Sequence, residues 1–261
     1  MNTSGKTYKL VLSAILGAIV LVMYFIPQVG FIRFGPILAT TLHIPVILGA
    51  IYGGPYVGMA VGLFFGILSV TQAPADPTFS FAWATGEMKN YILVAVNAIV
   101  PRVLIGLTSA LVYKASKKIP RKTSLAALSV IAAGMLGYTI YKLIAQIGSG
   151  EGFSTYFMYI ILIAAIIGLS IWIGLTIKNR SLSVVLAAGV GSLTNTILFL
   201  SLAYLFFKDV FAAALNVTRA EIANILVSVG TVNGTLELVV SIVLISAIAV
   251  AIKPKELIEQ K

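Results

Sequence analysis

Apolar residues in this chain neither alternate with polar ones nor recur as a narrow stripe; they run on in eight long stretches. The stretches are Leu10 to Ile26, Ile37 to Ile51, Pro55 to Val70, Tyr91 to Tyr113, Ser124 to Ile147, Phe157 to Ile177, Leu182 to Phe207 and Ile222 to Ile252. As helices rising about 1.5 Å per residue, such stretches approach or exceed the roughly 30 Å thickness of the bilayer hydrocarbon. The pattern predicts an all-α integral membrane protein, a bundle of about eight transmembrane helices forming one membrane domain over residues 1–261. An even number of crossings puts both termini on one side.

Composition agrees, with 59% hydrophobic and only 10% charged residues and a mean hydropathy of +1.05. The net charge of +10 would suggest nucleic acid in a soluble chain, but the basic residues are one-sided. Lys6, Lys9, Lys114, Lys117, Lys118, Arg121, Lys122, Lys178, Arg180, Lys253, Lys255 and Lys261 fall on the side of the termini, twelve of eighteen. The opposite loops carry Arg33, Lys89, Lys208 and Arg219 together with Asp76, Glu87, Glu151, Asp209 and Glu221. By the positive-inside bias both termini are cytoplasmic, and the basic excess is a topology signal with a secondary attraction to anionic lipid. No nucleic-acid partner is expected.

Enzyme chemistry is not expected either. There is no cysteine, no His-Glu-x-x-His, no paired intramembrane aspartates, and Gly189-Val190-Gly191 lacks the third glycine of a dinucleotide loop. No cofactor or metal is expected. Without a phosphate-binding loop the chain cannot hydrolyse ATP, so energy for uphill transport would come from an ion gradient or a partner.

Tyr52-Gly53-Gly54-Pro55-Tyr56 joins the second and third spans in a sharp reversal, predicting a tight antiparallel pair. Gly58, Gly62 and Gly66 then line one helical face, which lets a neighbouring backbone approach closely. The polar connection from Thr71 to Asn90 mixes prolines, aromatics and Asp76. Two readings of it stand side by side: a lid, or an aromatic belt in which Phe79, Phe81 and Trp83 sit at headgroup level.

Apart from His43, three ionisable residues lie well inside the apolar stretches: Arg102, Lys142 and Glu237. An ionised group in hydrocarbon costs a few kcal/mol or more, so it faces a partner, a cavity or a ligand. Lys142 is near the end of its span and can snorkel to the interface, and a lone histidine is read as a packed, hydrogen-bonded residue rather than a metal ligand. Glu237 stands roughly 22 Å along its helix from Ile222 and Arg102 roughly 16 Å from Tyr91, and both helices enter from the same side. Their contact is plausible, either as a packing ion pair or as part of a site in which Asn195 and Asn233 add donors and acceptors. Pro101 leaves a carbonyl near Asn97 without its usual donor, which favours a kink.

These motifs resemble those of the substrate-binding S components of energy-coupling factor vitamin transporters. The resemblance is carried by Leu42-His43-Ile44-Pro45-Val46-Ile47-Leu48-Gly49-Ala50, Gly53-Gly54-Pro55, Gly62-Leu63-Phe64-Phe65-Gly66, Pro101 to Leu107, Gly191 to Thr196 and Asn233 to Glu237. It covers most of residues 8–113 and 182–252 and is closest to the branch that includes pantothenate S components. It implies a prokaryotic plasma-membrane protein that captures a vitamin from outside, docks on one transmembrane coupling protein and two ATPase subunits, and releases the ligand inward by toppling. It further implies that Ala14-Ile15-Leu16-Gly17-Ala18 supplies an Ala-x-x-x-Ala surface, Ala14 and Ala18, for the coupling protein. One departure is large: the family has six helices, whereas residues 123–177 add an inserted helical hairpin here.

The expected substrate-binding residues are Arg102, Asn195, Asn233 and Glu237, followed by Asn97 and Trp83. Pantothenate is the favoured ligand because an arginine and side-chain amides suit one carboxylate with hydroxyl and amide groups. Riboflavin, folate and cobalamin stand as alternatives. So do an autonomous ion-coupled secondary transporter, with Glu237 carrying a proton, and a structural membrane protein whose polar residues only pack helices.

Overall fold

A computed structural model describes residues 3–34, 37–76, 79–147, 153–176 and 179–252. Pro77 and Thr78 of the long loop, Glu151, Ile177, Lys178, Lys253, Lys255 and Lys261 lie outside these stretches.

The chain is an all-α membrane bundle, with one short hairpin of strands. In order it forms α1 (Thr3–Phe25), α2 (Pro27–Gly30), β1 (Phe31–Phe34), β2 (Ile37–Thr40), α3 (His43–Gly53), α4 (Pro55–Gln72), α5 (Ser80–Ala84), α6 (Met88–Ser116), α7 (Arg121–Gln146), α8 (Phe153–Thr176), α9 (Asn179–Leu215) and α10 (Arg219–Ala251). Seven of these, α1, α4, α6, α7, α8, α9 and α10, are the helices among the described residues long and apolar enough to cross a membrane.

The second apolar stretch, Ile37 to Ile51, is not one helical span as its sequence suggests. Ile37–Thr40 is a strand, paired antiparallel with Phe31–Phe34 in the register Phe31 to Thr40 and Phe34 to Ile37. The helix that follows, α3, has only 11 residues, about 16 Å. Pro45 explains its late start: its ring is tolerated in the first turn but would clash with the carbonyl four residues earlier in a longer helix. Except for Tyr52 every residue of α3 is buried. It is sheathed by α1, α4, α6, α9 and α10, so it need not match the bilayer thickness by itself.

The Tyr52 hydroxyl donates to the Ile252 carbonyl, which puts the α3–α4 turn at the same end as the close of α10. Tyr24 near the end of α1 pairs with Thr71 near the end of α4 at 2.8 Å, marking the opposite end. Gly54, with φ of +82°, makes the reversal between α3 and α4.

The glycine face of α4 meets α6. A Cβ on Gly58 would stand 2.9 Å from the Cα of Gly106, and one on Gly62 would stand 2.2 Å from the carbonyl oxygen of Arg102. The two backbones therefore touch where the arginine leaves α6. Gly62→Ala is expected to push α6 away at this point and cost about 1–3 kcal/mol of stability, as overpacking does. The check is a lowered thermal midpoint together with weakened ligand binding.

The core runs through α1, α3, α4, α6, α9 and α10 and is filled by Val20, Val46, Ile47, Val61, Ile105, Val185 and Ile245. A second cluster, with Phe79, Val94, Phe207, Phe211 and Ile222, closes the end away from the termini. Helices α7 and α8 pack on each other, with α7 also meeting α9 and α8 meeting α10. Arg121 donates to the Gly174 carbonyl at 3.1 Å across this pair. Lys142 does not simply reach for the interface: its Nζ donates to the Ser228 hydroxyl at 3.1 Å and ties α7 to α10.

Candidate functional site

A cavity of about 430 Å³ opens in the half of the bundle away from the termini. That volume falls within the roughly 300–1,000 Å³ of small-molecule sites. Arg102 of α6, Asn195 of α9, and Asn233 and Glu237 of α10 all line it. Asn195 lies four residues before Phe199, and Asn233 four before Glu237, so each pair shares one helical face and points to the same space.

Arg102 is held in a defined pose. Pro101 has no N–H for the carbonyl of Asn97, and the Arg102 side chain takes over, its Nη1 donating to that oxygen at 3.0 Å. The guanidinium lies over the ring of Phe199, 4.6 Å from the centroid, and over Phe65 at 5.4 Å, where the ring faces favour a cation. Its Nε is buried without a hydrogen-bond partner, as is Oδ1 of Asn195. Both residues line the cavity, and buried polar atoms of this kind call for a polar partner.

Glu237 sits across the cavity and is engaged on both oxygens. Oε1 accepts from the backbone N–H of Thr40 at 3.0 Å, and Oε2 accepts from the Thr196 hydroxyl at 3.3 Å. The carboxylate thus anchors the end of β2 to α10. Among the described residues no ion pair joins it to Arg102, although the two charges are near enough to attract one another. One turn on, the Ser241 hydroxyl donates to the Glu237 carbonyl at 2.6 Å and meets Nε2 of His43 at 2.5 Å. The histidine is thus a packed, hydrogen-bonded group, and among the described residues no cluster of side chains suits a metal ion.

Asn97 and Trp83 do not line the cavity. Asn97 is fully buried between α6 and α9: its amide donates to the Phe199 carbonyl at 3.1 Å and accepts from the Ala203 N–H at 3.3 Å. It supports Arg102 and Phe199 from behind. Trp83 is half-buried on α5 and packs against Tyr91, ring centroids 4.6 Å apart.

The loop around α5 turns Phe79 inward, while Phe81 stays partly exposed. Phe79 is 1% exposed and meets Phe199 and Phe207 edge-on at 5.3 and 6.5 Å, so it is no membrane-interface residue. Phe79 and Phe81 roof the cavity with Phe31 of β1. Asp76 also lines it and acts electrostatically on Arg102. Asp76, Phe65, Thr196 and Phe199 escaped the sequence reading of the site. Phe199 carried a signal, its four-residue spacing from Asn195, whereas Asp76 reaches the cavity through a loop path that no periodicity encodes.

With this geometry in view, a family model described as ECF transporter, substrate-specific component, matches residues 8–249. The chain belongs to this family. It is therefore a multi-pass membrane protein and the substrate-binding subunit of an ECF system, in a family of transporter components rather than of enzymes, whose members associate with an ECF module. No curated protein matches the sequence significantly.

The first helix of this S component leaves one stripe uncovered. Ala14 and Ala18 are exposed on it, while Leu16 and Val20 turn into the core.

Proposed function

We propose that this S component captures a carboxylate-bearing vitamin, pantothenate first among the candidates, in the cavity between Arg102 and Glu237. The observation that carries the reading is the convergence of Arg102, Asn195, Asn233 and Glu237 on one roofed cavity of about 430 Å³. With Nη1 committed to Asn97, the remaining Nε and Nη2 edge of the guanidinium suits a bidentate carboxylate. Asn195 and Asn233 suit an amide, and Glu237 accepts from hydroxyls. Asn97 and Trp83 serve the site as supports. Riboflavin, which has no carboxylate, and cobalamin, whose carboxyls are amides, make less use of a buried arginine; folate, with two carboxylates on its glutamate tail, is the alternative that binding measurements must separate from pantothenate.

In this reading the termini lie in the cytoplasm of a prokaryotic cell and the cavity faces the outside of the plasma membrane. The protein is a six-helix core, residues 8–113 and 182–252, carrying an inserted hairpin at 123–177. Ala14 and Ala18 meet a transmembrane coupling protein, and two ATPase subunits supply the energy. Titration of the purified protein with a vitamin panel tests the ligand: saturable heat with pantothenate supports it, and saturable heat with another vitamin alone replaces it. Uptake into vesicles holding this chain alone, driven by a pH gradient without ATP, is expected to be nil. Uptake under those conditions would favour a secondary transporter with Glu237 as proton carrier.

A further inference from the structure

A second cavity, of about 740 Å³, lies between α7, α9 and α10. It is lined almost wholly by apolar groups, and it is open to the membrane, since Ile197, Leu205 and Val227 on its walls are 59%, 62% and 51% exposed. Along α9 it runs from Leu193 to Leu205 and along α10 from Ala223 to Thr235. Each distance is about 18 Å, close to half of the roughly 30 Å hydrocarbon layer. The groove is therefore one leaflet deep, on the side away from the termini.

Its outer end is cationic. Tyr138 and Tyr204 line the groove, and an ammonium group stands over each ring: Lys142 at 5.7 Å from the Tyr138 centroid and Lys208 at 5.6 Å from that of Tyr204. The hydrogen bond from Lys142 to Ser228 uses one of three ammonium protons. The nearby carboxylates are engaged elsewhere: Asp209 pairs with Arg219, and Glu221 is held in the capping box of Thr218 at the start of α10.

We propose that this groove binds one phospholipid with an anionic headgroup, an acyl chain lying between α7, α9 and α10 and the phosphate between Lys142 and Lys208. Depth, largely apolar walls with only scattered hydroxyls, and paired cations at the interface end together select such a molecule over a soluble ligand, most of whose polar groups would go unpartnered along the walls. The lipid then fills the gap between the α7–α8 pair and the helices that carry Asn195 and Glu237.

The test is native mass spectrometry of the full chain released gently from bilayers of equal parts phosphatidylglycerol and phosphatidylcholine. One phosphatidylglycerol per chain is expected, favoured over phosphatidylcholine by about thirtyfold, as expected for two cationic contacts. In Lys142→Gln with Lys208→Gln that preference is expected to fall to near parity. A Cβ on Gly134 meets nothing within 4 Å, so Gly134→Trp projects into the groove without displacing backbone and is expected to remove the bound lipid. Wild-type protein that retains no lipid, or retains both lipids equally, overturns the proposal. So does an undiminished preference in the double lysine variant, or lipid retained unchanged in Gly134→Trp.

Discussion

Arg102→Ala is expected to weaken vitamin binding by about 3 kcal/mol, on the order of a hundredfold, because a charge-assisted bidentate contact is lost from a buried site. The effect on folding is expected to be smaller, since two consequences oppose each other. The Asn97 carbonyl loses its donor, a penalty of about 1–3 kcal/mol for a buried group. Removing a buried guanidinium also removes the cost of keeping it from water. Arg102→Lys is expected to keep charge in the cavity but lose the planar edge, so its affinity should fall between the two. Binding isotherms and thermal midpoints measured on the same preparations separate these effects. A stable Arg102→Ala protein with unchanged affinity would remove the arginine from the site.

The second large effect is expected far from the cavity. Ala14 and Ala18 lie on the uncovered stripe of α1, where small side chains permit another helix to approach closely. Ala14→Trp with Ala18→Trp should block that approach and lower uptake by about tenfold or more, while affinity stays within about twofold, since neither residue touches the ligand cavity. Uptake of labelled vitamin by cells that express the coupling module, set beside a binding isotherm of the purified variant, makes the distinction. Persistent uptake by the double variant would place the docking surface elsewhere.

Much of this fold was legible because a bilayer imposes its own grammar. Unbroken apolar stretches specify crossings, and the long helices α1, α4, α6, α7, α8, α9 and α10 follow them closely. The strand Ile37–Thr40 was not legible, because a short apolar run reads equally as helix or strand until Pro45 and the partner strand are considered. The glycine face of α4 announced a close neighbour, but its identity as α6, at the carbonyl of Arg102, is a tertiary fact.

The candidate site divides in the same way. Polar residues stranded in apolar helices stand out by cost alone, which is why Arg102, Asn195, Asn233 and Glu237 could be named from the sequence. What each polar atom bonds to could not be named. The orphan carbonyl beside Pro101 suggested a kink; in the structure the next residue's own guanidinium satisfies it. The tie from Glu237 to Thr40 joins residues 197 positions apart, and no local pattern anticipates such a pair.

The most direct test of the central claim is the identity of the small molecule that accompanies the protein. Wild type and Arg102→Ala would be purified from cells grown in rich medium and their bound small molecules identified by mass spectrometry. One carboxylate-bearing vitamin per wild-type chain, and little or none in the variant, is the result expected of a cavity built around Arg102. A wild-type protein that carries no small molecule and then fails to bind any member of a vitamin panel would contradict it.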